Sequence, residues 1–287
     1  RIPRAYGSYE ELLADPSIEA IYNPLPNHLH VEWTIKALEA GKHVLCEKPI
    51  GLDTEDAKRL IAARDKSGKH VLEAFMVRHH PQWQEARRLV ESGQIGTIST
   101  VQSIFTYFNA DPNNVRNKKD IGGGGLLDIG CYCIVGPRYI TGKEPVRVVS
   151  LMDKDPKFGT DRLVSGILDF GSGVQASFVC GTQSAAVQRV HILGTEGRIE
   201  IIMPFNPLPE NPAVIRVGTQ KQPGFDEARE IKFPIGNHYT LQGENATAIF
   251  NDESPVDYPI EDGIANMQIL DALARSARTG SWEMVNS

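Results

Sequence analysis

Apolar and polar residues alternate differently in the first third of the chain than in the rest. Up to about residue 93, short apolar segments alternate with segments whose apolar positions recur at helical spacing. This order predicts parallel strands joined by crossover helices, as in doubly wound sheets, where ligands bind at the carboxyl edge of the strands. The predicted strands are 18–22, 43–46 and 70–77. A first predicted helix begins near Ser8, and three more helices cover 30–40, 54–66 and 81–92.

Extended segments dominate after residue 97. Residues 170–173 (FGSG) predict a hairpin turn, and the alternating apolar residues after it predict a half-buried antiparallel strand. We therefore predict an incomplete Rossmann-type parallel sheet in residues 1–103, followed by an open, mainly antiparallel sheet domain in residues 104–287. The later predicted strands are 97–108, 146–152, 162–170, 174–180, 187–193 and 198–203, with helices at 127–139 and 262–279.

An open sheet needs a cover for one of its faces. We expect a second copy of the chain to cover it, which gives a homodimer or homotetramer.

The composition is that of an ordinary globular protein. The 287 residues are 41% hydrophobic and 23% charged, and the formal net charge of -6 disfavours nonspecific binding of nucleic acid. No apolar run approaches the ~20 residues that span a bilayer. The four cysteines form no CxxC pair, which disfavours a structural metal site and favours free thiols in a reducing cytoplasm.

Lys48 is the first candidate for chemistry. It follows a predicted buried parallel strand within Glu47-Lys48-Pro49, at the edge where ligands bind. Partial burial of a lysine there would lower its pKa and allow proton exchange near neutral pH. The alternative is an ordinary lysine in a surface loop.

Asp128 and Tyr132 follow a run of four glycines, Gly122–Gly125. They are four residues apart on a predicted helix, so a carboxylate and a phenol share one face. The alternative is a capped helix whose tyrosine packs in the core. The glycine run lacks the GxxxxGK[ST] pattern of a phosphate loop, so we reject that reading.

Two further segments follow predicted strands. Residues 24–30 (PLPNHLH) open a helix, and His30 either binds a ligand or caps that helix. Residues 73–81 (EAFMVRHHP) carry Arg78, which could hold a phosphate or a carboxylate. The neighbouring histidines could equally be ordinary loop residues.

Four motifs in order resemble the Gfo/Idh/MocA oxidoreductase family. They are PNxxH at 26–30, AGKHVLCEKP at 40–49, EAFMxRxHP at 73–81 and GGGxLxDxGxY at 122–132. The resemblance spans essentially the whole chain. It implies NAD or NADP as cofactor and hydride transfer from a sugar, a polyol or a trans-diol, with aldoses such as xylose or glucose as examples.

The resemblance also implies roles for individual residues. A relay of Lys48 and Tyr132 takes the hydroxyl proton, Asp128 orients the substrate or tunes the other two, and the Lys48–Pro49 peptide bond is cis. Substrate contacts are expected from Lys48, Arg116, Asp128, Tyr132 and Tyr239. Cofactor contacts are expected from Asn23, Pro24, Leu25, Asn27, His30, Glu47, Lys48, Pro49, Arg78 and Arg116.

The sequence departs from the family at its start. The opening strand and the GxGxxG fingerprint that cradles the pyrophosphate do not occur. We expect the sequence to be a fragment of a longer polypeptide, and the alternative is a naturally truncated chain. Loss of the fingerprint also keeps open a noncatalytic sugar-binding or dimerisation module.

Overall fold

The computed structural model describes residues 3–208, 210–221, 224 and 227–285. Within it the chain forms two units, the first comprising Arg1–Ala74 and Gly243–Met267 and the second comprising Phe75–Gln242 and Gln268–Ser287. Two domains divided at residues 103 and 104 stay a prediction.

The first unit is built on a parallel sheet of three strands in the order β1–β2–β3. The parallel pairing of consecutive strands confirms the strand–helix alternation that the sequence predicts. The elements are α1 (Tyr9–Ala14), β1 (Ala20–Asn23), α2 (His30–Glu39), β2 (His43–Glu47), α3 (Thr54–Ser67) and β3 (Val71–Ala74).

The third strand is shorter than predicted. It ends at Ala74, where its partner β2 also ends at Glu47, and a 3-10 turn follows over Met76–His79. A strand cannot continue its ladder beyond the last residue of its partner, so the apolar residues 75–77 bury themselves in a turn. The predicted strand 70–77 is wrong in its second half.

The second unit contains one sheet of nine strands, in the order β11–β10–β9–β8–β4–β7–β6–β5–β12. Its pairs are antiparallel except for β4 with β7, so the prediction of an open, mainly antiparallel sheet is confirmed. The strands are β4 (Ile98–Phe108), β5 (Arg147–Lys154), β6 (Asp161–Asp169), β7 (Gln175–Gly181), β8 (Gln183–Gly194), β9 (Gly197–Ile201), β10 (Val214–Thr219), β11 (Arg229–Lys232) and β12 (Glu283–Met284).

The helices after β3 are α4 (Pro81–Glu91), α5 (Cys131–Thr141), α6 (His238–Phe250) and α7 (Ile260–Thr279). Helix α6 has no counterpart among the sequence predictions, because its buried positions Ala246 and Ile249 are diluted by polar neighbours. Strands β10, β11 and β12 were also not predicted, because they are short and lie towards the edges of the sheet.

One face of the large sheet is covered by helices of the second unit. The Ser150 hydroxyl on β5 donates to the Leu273 carbonyl of α7 at 2.6 Å. Helix α5 approaches α4 so closely that a Cβ at Gly136 would lie 2.8 Å from the buried ring of Trp83. This covered face contains the apolar side chains Val101, Phe105, Ala176 and Phe178.

The opposite face of the sheet is open. Leu151 is 78% exposed, and Ile167 and Val187 are each about two-fifths exposed. These residues line a shallow depression of about 840 Å³ together with Arg189 and His191.

Candidate active site

The first candidate region lies at the carboxyl edge of the parallel sheet, where β1 and β2 end at Asn23 and Glu47. Asn23 is 3% exposed, and its amide donates to the His30 carbonyl at 3.1 Å and to the Thr34 hydroxyl at 3.2 Å. Its oxygen accepts the N–H of Leu25 at 3.3 Å. The Asn23 side chain therefore shapes the loop after β1 from within.

His30 ties together the loops that follow β1 and β2. Its Nδ1 lies 2.7 Å from the Pro49 carbonyl oxygen and its Nε2 lies 2.6 Å from the Leu25 carbonyl oxygen. Burial lowers the pKa of His30, although both carbonyl contacts oppose this shift. Both ring nitrogens lie at hydrogen-bonding distance from a carbonyl oxygen, and which of them donates depends on the tautomer.

Lys48 directly follows β2 and is partly buried. The Lys48–Pro49 peptide bond is cis, which confirms the prediction. Glu47 beside it is engaged: its Oε1 accepts from the Tyr22 hydroxyl at 2.5 Å and its Oε2 accepts the Lys48 N–H at 3.3 Å. Contacts from Glu47 and His30 therefore restrain the backbone on either side of the Lys48 side chain.

The predicted cofactor residues of the first unit fall into two groups. Pro24 is exposed and Leu25, Asn27, Glu47 and Lys48 are partly buried, so these can face a ligand. Asn23, His30 and Pro49 are buried and can act only through the shape of the loops. All eight residues lie at the carboxyl edge of β1 and β2, in strand ends, in loops or, for His30, at the first residue of α2.

The second candidate region surrounds Asp128. A π-helical turn, Leu126–Gly130, leads into α5, and such turns recur at functional sites. The Oδ2 atom of Asp128 accepts from the Tyr107 hydroxyl at 2.5 Å and from Arg116 Nε at 2.9 Å. The carboxylate is thus oriented by two donors from outside its own helix.

Tyr107 is a site residue that the sequence reasoning missed. Burial, and after it the neighbouring Asp128, raise the pKa of its phenol well above the usual range, so the hydroxyl remains a donor. Asp128 in turn raises the pKa of the Arg116 guanidinium, with smaller contributions from Tyr107 and Tyr132. The sequence signal for Tyr107 is only a phenol near the end of a predicted strand.

Tyr132 is 5% exposed and sits among aromatic rings of the second unit. Its ring centroid lies 5.3 Å from that of Phe75 and 5.7 Å from that of Phe205, and its hydroxyl donates to Met76 Sδ at 3.1 Å. A thioether is a weak acceptor. Tyr132 also contributes, as the smallest of the causes, to the raised pKa of Arg116, which donates to Asp128.

Arg78 and Tyr239 differ in exposure. Arg78 is 6% exposed, with its guanidinium 5.3 Å from the centroid of the Phe75 ring that also touches Tyr132. Tyr239 is 49% exposed near the start of α6, where its ring contacts His238. Substrate or cofactor contacts of both residues stay predictions.

The four cysteines are free thiols in the structure, as predicted, and all are buried. Burial raises the pKa of Cys46, Cys133 and Cys180, so these thiols stay protonated and unreactive at neutral pH. Among the residues that the structure describes, no helix combines the length and apolar character that a membrane span requires.

The chain joins a parallel sheet with candidate ligand groups at its carboxyl edge to an open sheet that carries a carboxylate–phenol cluster. Residues 1–75 match the model of the oxidoreductase family with an NAD-binding Rossmann fold, and residues 83–200 match the model of the GFO/IDH/MocA C-terminal domain. The chain belongs to the Gfo/Idh/MocA oxidoreductase family. This confirms the resemblance, the fold class and the enzyme class predicted from the sequence.

Individual relatives cover nearly the whole chain. An uncharacterized oxidoreductase of Rhizobium meliloti is 45% identical over 99% of this chain and 85% of its own length. D-xylose 1-dehydrogenase (NADP(+)) 2 of Haloferax volcanii is 34% identical over 98% of this chain and 84% of its own length. The crystal structure of a 3-ketoreductase from Actinomadura kijaniata in complex with NADP and TDP-benzene matches with a TM-score of 0.86 and 30% identity, covering 94% of this chain and 81% of that chain.

Proposed function

We propose that this protein oxidises a secondary or anomeric hydroxyl of a sugar, a polyol or a related diol, with NAD or NADP as hydride acceptor. The observation that carries the proposal is the Asp128 carboxylate, which two donors orient and which lies four residues before the buried Tyr132. Similarity to the D-xylose 1-dehydrogenase of Haloferax volcanii supports an aldose, and D-xylose is our first choice.

The residues at the carboxyl edge of β1 and β2 fit a nicotinamide nucleotide. Pro24, Leu25 and Asn27 form a partly exposed loop wall, and Lys48 and Glu47 supply polar groups at the neighbouring strand end. The His30 contacts to Leu25 and Pro49 hold both loops in place before a ligand arrives, which lowers the entropy lost on binding. When bound, the nicotinamide would accept the hydride.

The chain's own residues handle the proton. Oxidation of a CH–OH group releases a hydride and the hydroxyl proton, so a protein group must accept that proton. We assign its transfer to a relay of Tyr132 and Lys48, in which the phenol passes on its own proton as it takes that of the substrate and the lysine amine is the final acceptor, and we assign the orientation of the substrate hydroxyls to Asp128 and Arg116. Positioned proton transfer of this kind contributes about 10²- to 10⁴-fold to rate.

The test is a turnover assay on a panel of substrates. The purified full-length polypeptide is mixed with NADP⁺ or NAD⁺ and with D-xylose, D-glucose or trans-1,2-dihydrobenzene-1,2-diol, and formation of reduced nicotinamide is followed by its absorbance. We expect D-xylose with NADP⁺ to give the largest kcat/KM. Binding of a sugar or dimer formation without turnover of any substrate would support the noncatalytic module instead.

We further propose that the open face of the large sheet joins two copies of the chain. A two-fold interface must be self-complementary, and this face offers apolar side chains such as Leu151 together with both signs of charge, with Glu200 between Arg189 and Arg216. Apolar residues in the centre of such a patch contribute most of the association energy.

Replacing Leu151 with Asp tests this interface. A carboxylate in an apolar interface costs about 2 kcal/mol or more, so we expect the dimer dissociation constant to rise at least ~30-fold. Analytical ultracentrifugation measures it, and Ile235→Asp, at a position that is 60% exposed and outside the sheet, serves as control. A stable tetramer in both variants would show that another surface assembles the protein.

A further inference from the structure

A second carboxylate, that of Asp161 at the start of β6, lies against the turn that leads to Asp128. Its Oδ2 accepts the backbone N–H of Leu126 at 2.6 Å, and the N–H of Gly125 also donates to the carboxylate. Leu126 is the first residue of the π-helical turn, two residues before Asp128. Asp161 therefore holds the beginning of the segment that carries the candidate site.

The run of glycines before the turn lets the Asp161 carboxylate approach the backbone this closely. A Cβ at Gly124 would collide with Asp161 Oδ1, and the φ of +124° at this residue suits only glycine. A Cβ at Gly123 would lie 2.6 Å from the carbonyl oxygens of Arg116 and Lys118. The turn is thus confined between Asp161 on one side and the backbone of the Arg116 segment on the other.

We propose that Asp161 is a positioning residue of the oxidoreductase site: its carboxylate fixes the π-helical turn so that Asp128 meets the donors of Tyr107 and Arg116. The inference rests on the proposed function and deepens it. Asp161 makes no step of the reaction itself; it acts through the backbone of Gly125 and Leu126.

The charge of Asp161 is held at a cost. Burial raises the pKa of Asp161 from 3.8 to about 6, against the opposing effect of the bonds from Leu126 and Gly125 and of Lys154 on β5. Tyr107 on β4 and Cys180 on β7 also interact electrostatically with Asp161. Burial raises the pKa of both, so neither changes charge near pH 6.

The raised pKa sets the sign of the pH dependence. Between about pH 4 and pH 6 the folded protein binds a proton on Asp161 that the unfolded chain does not bind, so stability rises as the pH falls through this window. Protonation also weakens the acceptance of the two N–H bonds, because ionised acceptors bond more strongly. At neutral pH the ionised Asp161 therefore lowers the free energy of unfolding but binds the N–H groups of the turn more strongly.

The deciding variant is Asp161→Asn, which keeps the size and one acceptor oxygen but is neutral at every pH. With D-xylose and NADP⁺ at neutral pH we expect kcat to fall about 10- to 100-fold while KM changes little, since a small misplacement of a catalytic group costs this much. The melting temperature should equal or exceed that of the wild type. The wild-type kcat should fall as the pH drops through about 6, and the variant should lack this limb.

Asp155→Asn is the matched control. Asp155 also accepts two backbone N–H bonds, from Lys157 and Phe158, but in the hairpin between β5 and β6. Its pKa is lowered by these bonds, so the substitution should reduce stability and leave the activity limb near pH 6 in place. Unchanged kcat and an unchanged pH profile in Asp161→Asn would overturn the proposal.

Amide exchange separates this proposal from the proposed function. In the wild type, the exchange protection of the Leu126 N–H, measured by NMR, should decrease as the pH falls through about 6, and in Asp161→Asn it should be low throughout. If the wild type turns over no substrate, the proposed function fails, and the exchange of the Leu126 amide alone tests the role of Asp161. Protection that is lost both at low pH in the wild type and in Asp161→Asn supports this role. Protection that responds neither to pH nor to the substitution overturns it.

Discussion

Replacing Lys48 with Met should lower kcat for D-xylose oxidation by about 10³-fold, which corresponds to about 4 kcal/mol of transition-state stabilisation. Methionine has a similar length and can fill the partly buried position after β2. It has no N–H donor and cannot exchange a proton, so proton transfer is lost together with the one polar contact that Lys48 offers the nucleotide. Binding of NADP⁺, followed by quenching of intrinsic fluorescence, should therefore weaken, but by far less than kcat falls.

Lys58→Met is the control for this substitution. Lys58 is exposed on α3 and pairs with Glu55 across three residues, an arrangement that contributes only a few tenths of a kcal/mol. It should retain full activity and nearly full stability. If Lys48→Met kept more than about a tenth of the wild-type kcat with a normal Tm, Lys48 would have no role in proton transfer.

Replacing Tyr132 with Phe should lower kcat by about 10²-fold or more with little loss of stability. The ring is packed by Phe75, Phe105 and Phe205, and phenylalanine preserves those contacts. The hydroxyl donates to the sulfur of Met76, a weak acceptor, so its removal should cost about 1 kcal/mol or less. A large kinetic effect beside a small change in urea unfolding would identify the hydroxyl as functional.

Tyr139→Phe provides the comparison on the same helix. The Tyr139 ring packs edge-on against Trp83 at 6.1 Å and carries Arg87 over its face, at the other end of α5 from the π-helical turn. Its kcat should match that of the wild type. Equal losses of activity in the two variants would indicate a general disturbance of α5, and the role assigned to Tyr132 would be withdrawn.

Local signals in the sequence predicted much of the first unit. Ser8 caps α1 by accepting the N–H of Glu11 at 3.1 Å, and Gly68 ends α3 in the left-handed conformation that its place after the predicted helix indicates. Such signals act within a few residues and can be read along the chain. Lys48, Asp128 and Tyr132 were found in the same way, through motifs of fixed spacing, whereas Arg116 followed only from the resemblance to the family.

The partners of these residues were decided by the tertiary structure. Tyr107 reaches Asp128 across 21 residues and Asp161 reaches Leu126 across 35, and neither distance in sequence carries a signal. Both contacts depend on strand register in the large sheet, since β4 and β6 place these side chains at the turn before α5. The π-helical form of that turn likewise depends on packing, because the four glycines that precede it, Gly122–Gly125, permit many conformations.

The sequence by itself determined the order of strands and helices from α1 to β9, the family and most of the residues with reactive groups, because periodicity and motifs are local properties of the chain. The tertiary structure alone decided where β3 ends, that Tyr107 and Arg116 orient the carboxylate of Asp128, and that the carboxylate of Asp161 is buried against the glycines before the π-helical turn. These outcomes follow from non-local pairing and from desolvation, and both exist only once distant segments pack together.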